Sequence, residues 1–333
     1  MRFGLALPHY DFSFPNGKGV SFERLRDAAV RAEDLGFDSG WVSDHFFLSL
    51  ARYGGGDEPL GSLEPMTTLA ALAPATSRMR LGTLVLGPFR HPGLLAKMAT
   101  VVDLVSDGRL DLGIGAGWYE DEFRAFGYEF TPVKERFELL GETLEVLGLL
   151  FAEGPASFEG RHLRLDGAFN HPPPVQQPVP VWLGSKGGPR SLRLAARHCA
   201  GWNTVWRWTP EDYAGRAAEA RRICAEEGRD PSTLRLSVGL FTLIGRDGED
   251  LERRYEALLR WSPGGFLEGV PLREFAKGAL VGTVEEALGV VRRFAELGVE
   301  ELILSPASLP FAVADWSEVE LLAGELLPAG REL

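Results

Sequence analysis

The sequence predicts an α/β fold, a closed (β/α)8 TIM barrel with insertions formed as a single domain over residues 1–333. Two observations carry this expectation. Short apolar runs of strand length alternate eight times with segments of helical periodicity, and no linker or shift of composition divides the chain. At 333 residues and 45% hydrophobic content the chain can bury a large core, although length by itself admits two ordinary domains as readily as one barrel.

The first strand is expected at Phe3–Leu7, followed by a loop through Pro15, Asn16 and Gly17. Ser21 is placed to cap a helix carrying Leu25, Ala28, Ala29, Ala32 and Leu35, with Gly36 as its stop. Gly40–Ser43 reads as the second strand, ending at Asp44-His45, and a glycine-rich loop leads to a helix over Pro65–Ala75. Arg80–Leu86 is a near-continuous apolar strand; Pro92 opens the next helix, with Leu95, Met98, Val102 and Val105 as its stripe. Arg109–Ile114 is the fourth strand, and Val133, Phe137, Leu140, Leu144 and Leu147 mark a long amphipathic helix. Residues 152–179 break this rhythm with a short hairpin and a proline-rich stretch, the expected insertion. Val181–Leu183 is the fifth strand and Gly201–Thr204 the sixth. Thr209-Pro-Glu-Asp212 has the features of a helix start, and Leu234–Ile244 is the seventh strand. Thr283-Val-Glu-Glu286 matches a capping box, and Glu301–Leu304 completes the set of eight.

Composition excludes several classes. A formal charge of −12 argues against a general binder of nucleic acid or anionic membrane, so an anionic ligand would need a local basic pocket. Two cysteines are too few for a disulfide framework, no run approaches the about 20 apolar residues of a membrane span, and the N-terminus lacks signal-peptide features. A cytoplasmic protein is expected. The six histidines show no metal-ligand spacing, so no metal site is expected, and His91 and the His198-Cys199 pair read as a helix cap and packed residues.

In a barrel, chemistry belongs at the C-terminal ends of the strands. Four adjacent ends are polar or glycine-rich: Asp44-His45, Gly87–Pro92, Gly113–Trp118 and Gly184–Gly188. Gly113, Gly115 and Gly117 follow a G-x-G-x-G spacing, not the dinucleotide fingerprint, and the last loop lacks the P-loop pattern. That loop, Gly184-Ser-Lys-Gly-Gly188 before Pro189, opens a helix whose N-terminal amides would face an anion. Trp118 and Trp202 offer flat faces to an aromatic cofactor, with Trp118 the stronger candidate.

The segments VSDHFF around residue 45, LGTLVLGPFRHPGLLAKMATVVDLVSDGRLDLGIGAGWYEDEFRAFG over 81–127 and VWLGSKGGPRSLRLAAR from 181 resemble the bacterial luciferase-like flavin oxidoreductases, most closely the branch that uses the deazaflavin coenzyme F420. The resemblance covers nearly the whole chain. It implies an F420-dependent oxidoreductase exchanging hydride with a small organic substrate, with two alternatives left open: an FMN-dependent monooxygenase and a non-catalytic flavin carrier. It further implies that Asp44 and His45 face the ring, with His45 handling the proton and Asp44 orienting it or holding the cofactor. A non-proline cis peptide is implied at Leu84-Val85 behind the ring. Gly184, Ser185, Lys186, Gly187 and Gly188 are implied for the cofactor phosphate and tail, joined by Gly115 and Trp118 at the fourth strand, and a homodimer is expected. Two positions depart from the family pattern: Ala200 stands where an aspartate is common, implying a lost helix-end contact, and Trp118 stands where some members carry an acidic glutamate. Phe46, Phe47, Phe123 and Phe266 are expected to line a partly apolar substrate site.

Overall fold

In the computed structural model, the described residues are 1–14, 19–86 and 89–333, excluding the side chains of Arg52, Tyr53 and Leu84–Leu86. Eight parallel strands form the centre: β1 (Arg2–Ala6), β2 (Ser39–Ser43), β3 (Arg80–Leu86), β4 (Leu110–Gly115), β5 (Val181–Gly184), β6 (Gly201–Trp206), β7 (Arg235–Gly245) and β8 (Val299–Ser305). Their order is 6-5-4-3-2-1-8-7, and pairing of β6 with β7 closes the ring. The expected barrel is therefore present. A further strand, Leu280–Thr283, continues the pairing along the outer half of β7, where Thr242 faces Leu280.

Eight helices surround the strands: α1 (Phe22–Asp34), α2 (Pro65–Leu72), α3 (Pro92–Ser106), α4 (Val133–Phe151), α5 (Pro189–His198), α6 (Pro210–Glu226), α7 (Gly248–Trp261) and α8 (Val284–Glu296). Their starts follow the local chemistry of the sequence. The Ser21 hydroxyl accepts the Arg24 amide, Thr209 accepts Asp212 and Thr283 forms a reciprocal capping box with Glu286, satisfying donors that a first turn leaves orphaned. His91 caps α3 through Nδ1, which accepts the Gly93 amide at 3.1 Å. Helix α7 was not expected, although Asp247 caps it and Leu251, Tyr255 and Leu258 bury one face. The insertion holds an antiparallel pair, Ala156–Glu159 with Arg164–Ala168. No helix among the described residues is long and apolar enough to cross a membrane.

Two corrections concern helix surfaces. Val105 belongs to the outer face of α3, 48% exposed, while Leu95, Ala96, Ala99 and Val102 face the barrel. The helix-end contact that Ala200 was expected to forfeit comes from elsewhere: Arg229 Nη1 donates to the carbonyls of Ala195, Ala196 and Cys199 at 3.3, 3.1 and 2.7 Å. Cys199 is packed as expected, whereas His198 beside it is exposed.

Inside the barrel, Trp41 and Trp182 meet edge to face with ring centroids 6.2 Å apart. Backbone without side chains makes room for them, since a Cβ at Gly82 would lie 2.3 Å from Trp41 and one at Gly201 would lie 2.3 Å from Trp182. Each indole N–H finds a buried acid. Trp182 Nε1 donates to Asp111 at 3.1 Å, and Trp41 Nε1 donates to Ser39 Oγ at 2.8 Å and to Glu301 at 3.2 Å. Arginines entering from neighbouring strands balance the acids: Arg80 grips Asp111 through Nε and Nη2, and Arg2 reaches Glu301 at 2.9 Å. This polar belt and the paired indoles fill the barrel interior beneath the C-terminal ends of the strands.

Candidate active site

Strand β2 is buried along its whole length and delivers Asp44 and His45 to the upper rim. The Asp44 carboxylate is 2% exposed and is gripped by both terminal nitrogens of Arg90, with the Nη2 contact at 3.0 Å. Arg90 Nη2 also donates at 2.6 Å to Glu64, whose carboxylate caps α2 by accepting the Met66 and Thr67 amides. Burial works against the Arg90 charge, but its bonds to Asp44 and then Glu64 outweigh it and raise the guanidinium above its ordinary value. Asp44 is thus held by a cation, and another carboxylate sits at the imidazole of His45.

That carboxylate belongs to Glu122, fully buried in the short helix Glu120–Ala125. Its Oε1 lies 2.8 Å from His45 Nδ1, and its Oε2 accepts the Phe46 amide at 3.0 Å. The imidazole also meets Trp118 edge to face at 5.3 Å and Tyr119 at 6.3 Å. Sequence reasoning missed Glu122 because the stretch from Trp118 to Phe126 read as a loop, with no helix to turn a side chain inward. Its neighbour Phe123 was the available signal: this side chain is 0% exposed, so the helix turns position 122 inward along with it. Phe123 packs against Phe89 and Phe130 in that core and does not face substrate, contrary to expectation. Phe46 stacks on Phe126 at 4.1 Å, forming the outer wall of the same cluster.

The glycine loop joins β5 to α5 as expected. Ser185 organises it: its amide donates to Asn203, and its hydroxyl contacts Ser191 Oγ at 3.0 Å and accepts the Gly187 amide at 3.3 Å. Gly187 adopts φ 74°, and Trp202 is wedged beneath it with the indole N–H on Ser185. Trp202 is fully buried and stacks on Tyr213 with rings 6° from parallel, so it supports the loop from below rather than presenting a face to a ligand. Gly188 caps α5 with Pro189 at its first turn, leaving first-turn amides that no intrahelical carbonyl can satisfy. The Lys186 ammonium donates to the Val205 carbonyl, and burial lowers its pKa.

These parts surround a cavity of about 550 Å³. Asp44, His45, Gly115, Trp118, Gly184, Ser185 and Lys186 line it, which brings together most of the residues singled out from sequence. Gly187 and Gly188 are not among its lining residues; Gly187 is buried and Gly188 exposed. The side chains of Leu84 and Val85 lie outside the described residues, and the implied cis peptide between them with these; among the described residues a non-proline cis peptide occurs at Val205-Trp206. Tyr10, Trp41, Asn203, Trp206, Ile303 and Phe311 complete the floor and far wall, residues the sequence did not single out. Trp206 packs edge-on to Phe311 at 5.2 Å, and Tyr10 hydrogen-bonds Ser43 at 2.6 Å. His9 lies below them, with Nδ1 3.0 Å from the Leu7 carbonyl and Nε2 accepting the Ser43 amide at 3.2 Å; burial pushes its pKa down to about 4, so it is neutral.

The chamber at the mouth of the parallel barrel is mostly apolar, with a glycine loop on one side and a carboxylate-held imidazole on the other, features that would suit a flat, anionic-tailed ligand. The luciferase-like monooxygenase family model matches residues 1–301, and the chain belongs to that family. It is 33% identical over 252 residues to an F420-dependent glucose-6-phosphate dehydrogenase from Intrasporangium calvum, covering 74% of this chain and 68% of that one. A counterpart from Amycolatopsis mediterranei is 37% identical over 175 residues, 52% of this chain, and the match spans half the length of that relative, 50%. Among solved structures, an F420-dependent secondary alcohol dehydrogenase superposes with TM-score 0.79 at 22% identity over 99% of both chains, which shows the fold. A monooxygenase from Streptomyces bottropensis superposes with TM-score 0.73 at 28% identity, covering 98% of this chain and 99% of that one.

Proposed function

We propose that this chain is an F420-dependent oxidoreductase that exchanges hydride with a small organic substrate. The observation that carries this reading is the placement of His45, poised by a buried acid, across one apolar cavity from an anion-receiving loop. The residues fit the cofactor. The volume falls within the about 300–1,000 Å³ usual for ligand pockets, Gly115 and Gly184 leave backbone close to the chamber, and the α5 N-terminus would receive a phosphate. Similarity to several F420-dependent dehydrogenases supports the choice of deazaflavin.

Bound deazaflavin would supply a two-electron carrier. The protein's own part is to exclude water with Trp206, Phe311 and the Phe46 cluster, to anchor the phosphate at Gly184–Gly188, and to hold His45 where a substrate oxygen gains or loses its proton. Lys186 is the cation closest to the chamber for an anionic tail. Of the other two cations near the mouth in sequence, Arg90 is committed to Asp44 and Glu64, and Arg190 is not among the residues lining the chamber. The substrate is read as a small, partly apolar molecule. A homodimer accompanies this reading, because Leu94, Val101, Leu104 and Val105 form an apolar face on α3.

Titration of the purified protein with F420 and with FMN tests the assignment. Tighter binding of F420 is expected, and tight FMN binding with no measurable F420 affinity would reverse it. The likeness to the Streptomyces bottropensis monooxygenase favours an oxygen-using reaction as the second reading, and with FMN as its cofactor this would appear as oxygen consumption with reduced FMN. Redox turnover with any acceptor would exclude a non-catalytic carrier.

A further inference from the structure

We propose that Glu122 is a positioning residue that fixes the Nδ1–H tautomer of His45, leaving Nε2 as the proton acceptor; the inference rests on the reading that His45 handles the substrate proton. Glu122 Oε2 already accepts the Phe46 amide, and with Oε1 also acting as an acceptor the ring nitrogen 2.8 Å from it carries its hydrogen there. The opposite tautomer would set two lone pairs against each other. The carboxylate cannot swing aside, because its second oxygen is held by the Phe46 amide at 3.0 Å and the residue is fully buried beside Phe123. The edge contact with Trp118 limits the other freedom of the ring, its tilt.

The consequence is a division of labour between the two nitrogens. Nε2 takes the proton of a substrate hydroxyl; bound oxidised deazaflavin would supply the acceptor for the hydrogen and electron pair of the adjoining carbon, so that the alcohol would leave as a carbonyl. The imidazolium so formed already has a buried anion on its far side, which compensates the new charge where water is excluded. The Asp44 carboxylate is instead bonded to Arg90.

Glu122→Gln separates this role from simple packing. Glutamine has one acceptor oxygen where glutamate has two, and among the described residues the Phe46 amide has no other acceptor. The oxygen therefore goes to Phe46, the side-chain NH2 turns to Nδ1, and the imidazole hydrogen moves to Nε2. The experiment uses the full chain with 15N-labelled histidine, at a pH where the imidazole is neutral, with the His45 ring signals assigned by their loss in His45→Asn. The wild type should show a protonated Nδ1 and a bare Nε2, Glu122→Gln should show the reverse, and Glu122→Asp should keep the wild-type pattern. In turnover, kcat of Glu122→Gln should fall by about 10²–10⁴-fold with cofactor affinity nearly unchanged. An Nε2–H tautomer in the wild type overturns the proposal, and this holds even if the glutamine variant does not fold. So does a glutamine variant with the wild-type tautomer and wild-type kcat. The expected tautomers without turnover on any flavin would uphold the positioning role and defeat the redox reading alone.

Discussion

Gly187 and Gly188 stand side by side in the loop, yet they answer different questions. A side chain at Gly187 would need φ near 74°, where only glycine is at ease, and its Cβ would come within 2.6 Å of the buried Trp202 indole. At Gly188 the backbone is extended, with φ −69°, and a Cβ there would meet nothing within 4 Å. Gly187→Val should therefore lower the melting temperature and lose affinity only as a by-product. Gly188→Val should keep the melting temperature within a few degrees and weaken cofactor binding by obstructing the approach to the α5 amides. Calorimetric titration and thermal melting on both variants check this, and equal cofactor affinity in folded Gly188→Val would remove the loop from the phosphate site. The glycines of this loop were legible in sequence because their spacing before Pro189 reflects local backbone geometry. Glu122 was not legible, because its meeting with His45 spans 77 positions and depends on how one short helix is rolled.

Among the helices, legibility followed capping and periodicity. Ser21, Thr209 and Thr283 each mark a true start, because a cap acts on amides only two or three positions away. Helix α7 carried similar signals, an Asp247 cap and buried Leu251, Tyr255 and Leu258, but passed unrecognised between the seventh strand and the capping box. The inward stripe of α3 was misjudged at Val105 because the helix is apolar on two sides, and periodicity cannot tell which side faces the barrel. The outer side bears on assembly. Leu94, Val101 and Val105 recur at intervals of seven and four and are 57%, 50% and 48% exposed. Val101→Lys should convert the proposed dimer to monomer in sedimentation velocity without lowering the melting temperature, and a variant that sediments unchanged would move the interface to another face.

For the whole molecule, two buried groups give the fold opposite pH dependences. His9 has its pKa depressed from 6.5 to about 4 by burial, so its contribution is complete above 6.5 and is lost as pH falls toward 4; the shift corresponds to about 3 kcal/mol. Glu318, fully buried and accepting the Ile244 amide, has its pKa raised by burial from 4.5 to about 8, with Arg254 opposing the shift and Asp315 adding to it. Its contribution is complete below 4.5 and is lost as pH rises toward 8, by about 5 kcal/mol. Between 4.5 and 6.5 the two slopes cancel. Above that range Glu318 should dominate, so the difference in melting temperature between wild type and Glu318→Gln should move in favour of the variant from pH 6.5 to 8. His9→Gln should move in its own favour as pH falls below 6.5. A pH-independent difference in either case would show that the group does not change its proton occupancy on folding.

The indoles beneath the chamber also limit how this barrel can be altered. Trp41 occupies space left at Gly82, and Trp182 occupies space left at Gly201, so each large residue and its small counterpart form one fitted unit across two strands. Any single substitution in a unit either opens a void, at about 3–5 kcal/mol for truncating a buried tryptophan, or forces a collision. Redesign of the chamber for a bulkier substrate would have to exchange both members of a unit together, and a lineage of such proteins would have to pass through a less stable intermediate to deepen its floor. The freedom to acquire new substrates lies instead in the loops above the rim, where a change at one position leaves these fitted pairs untouched.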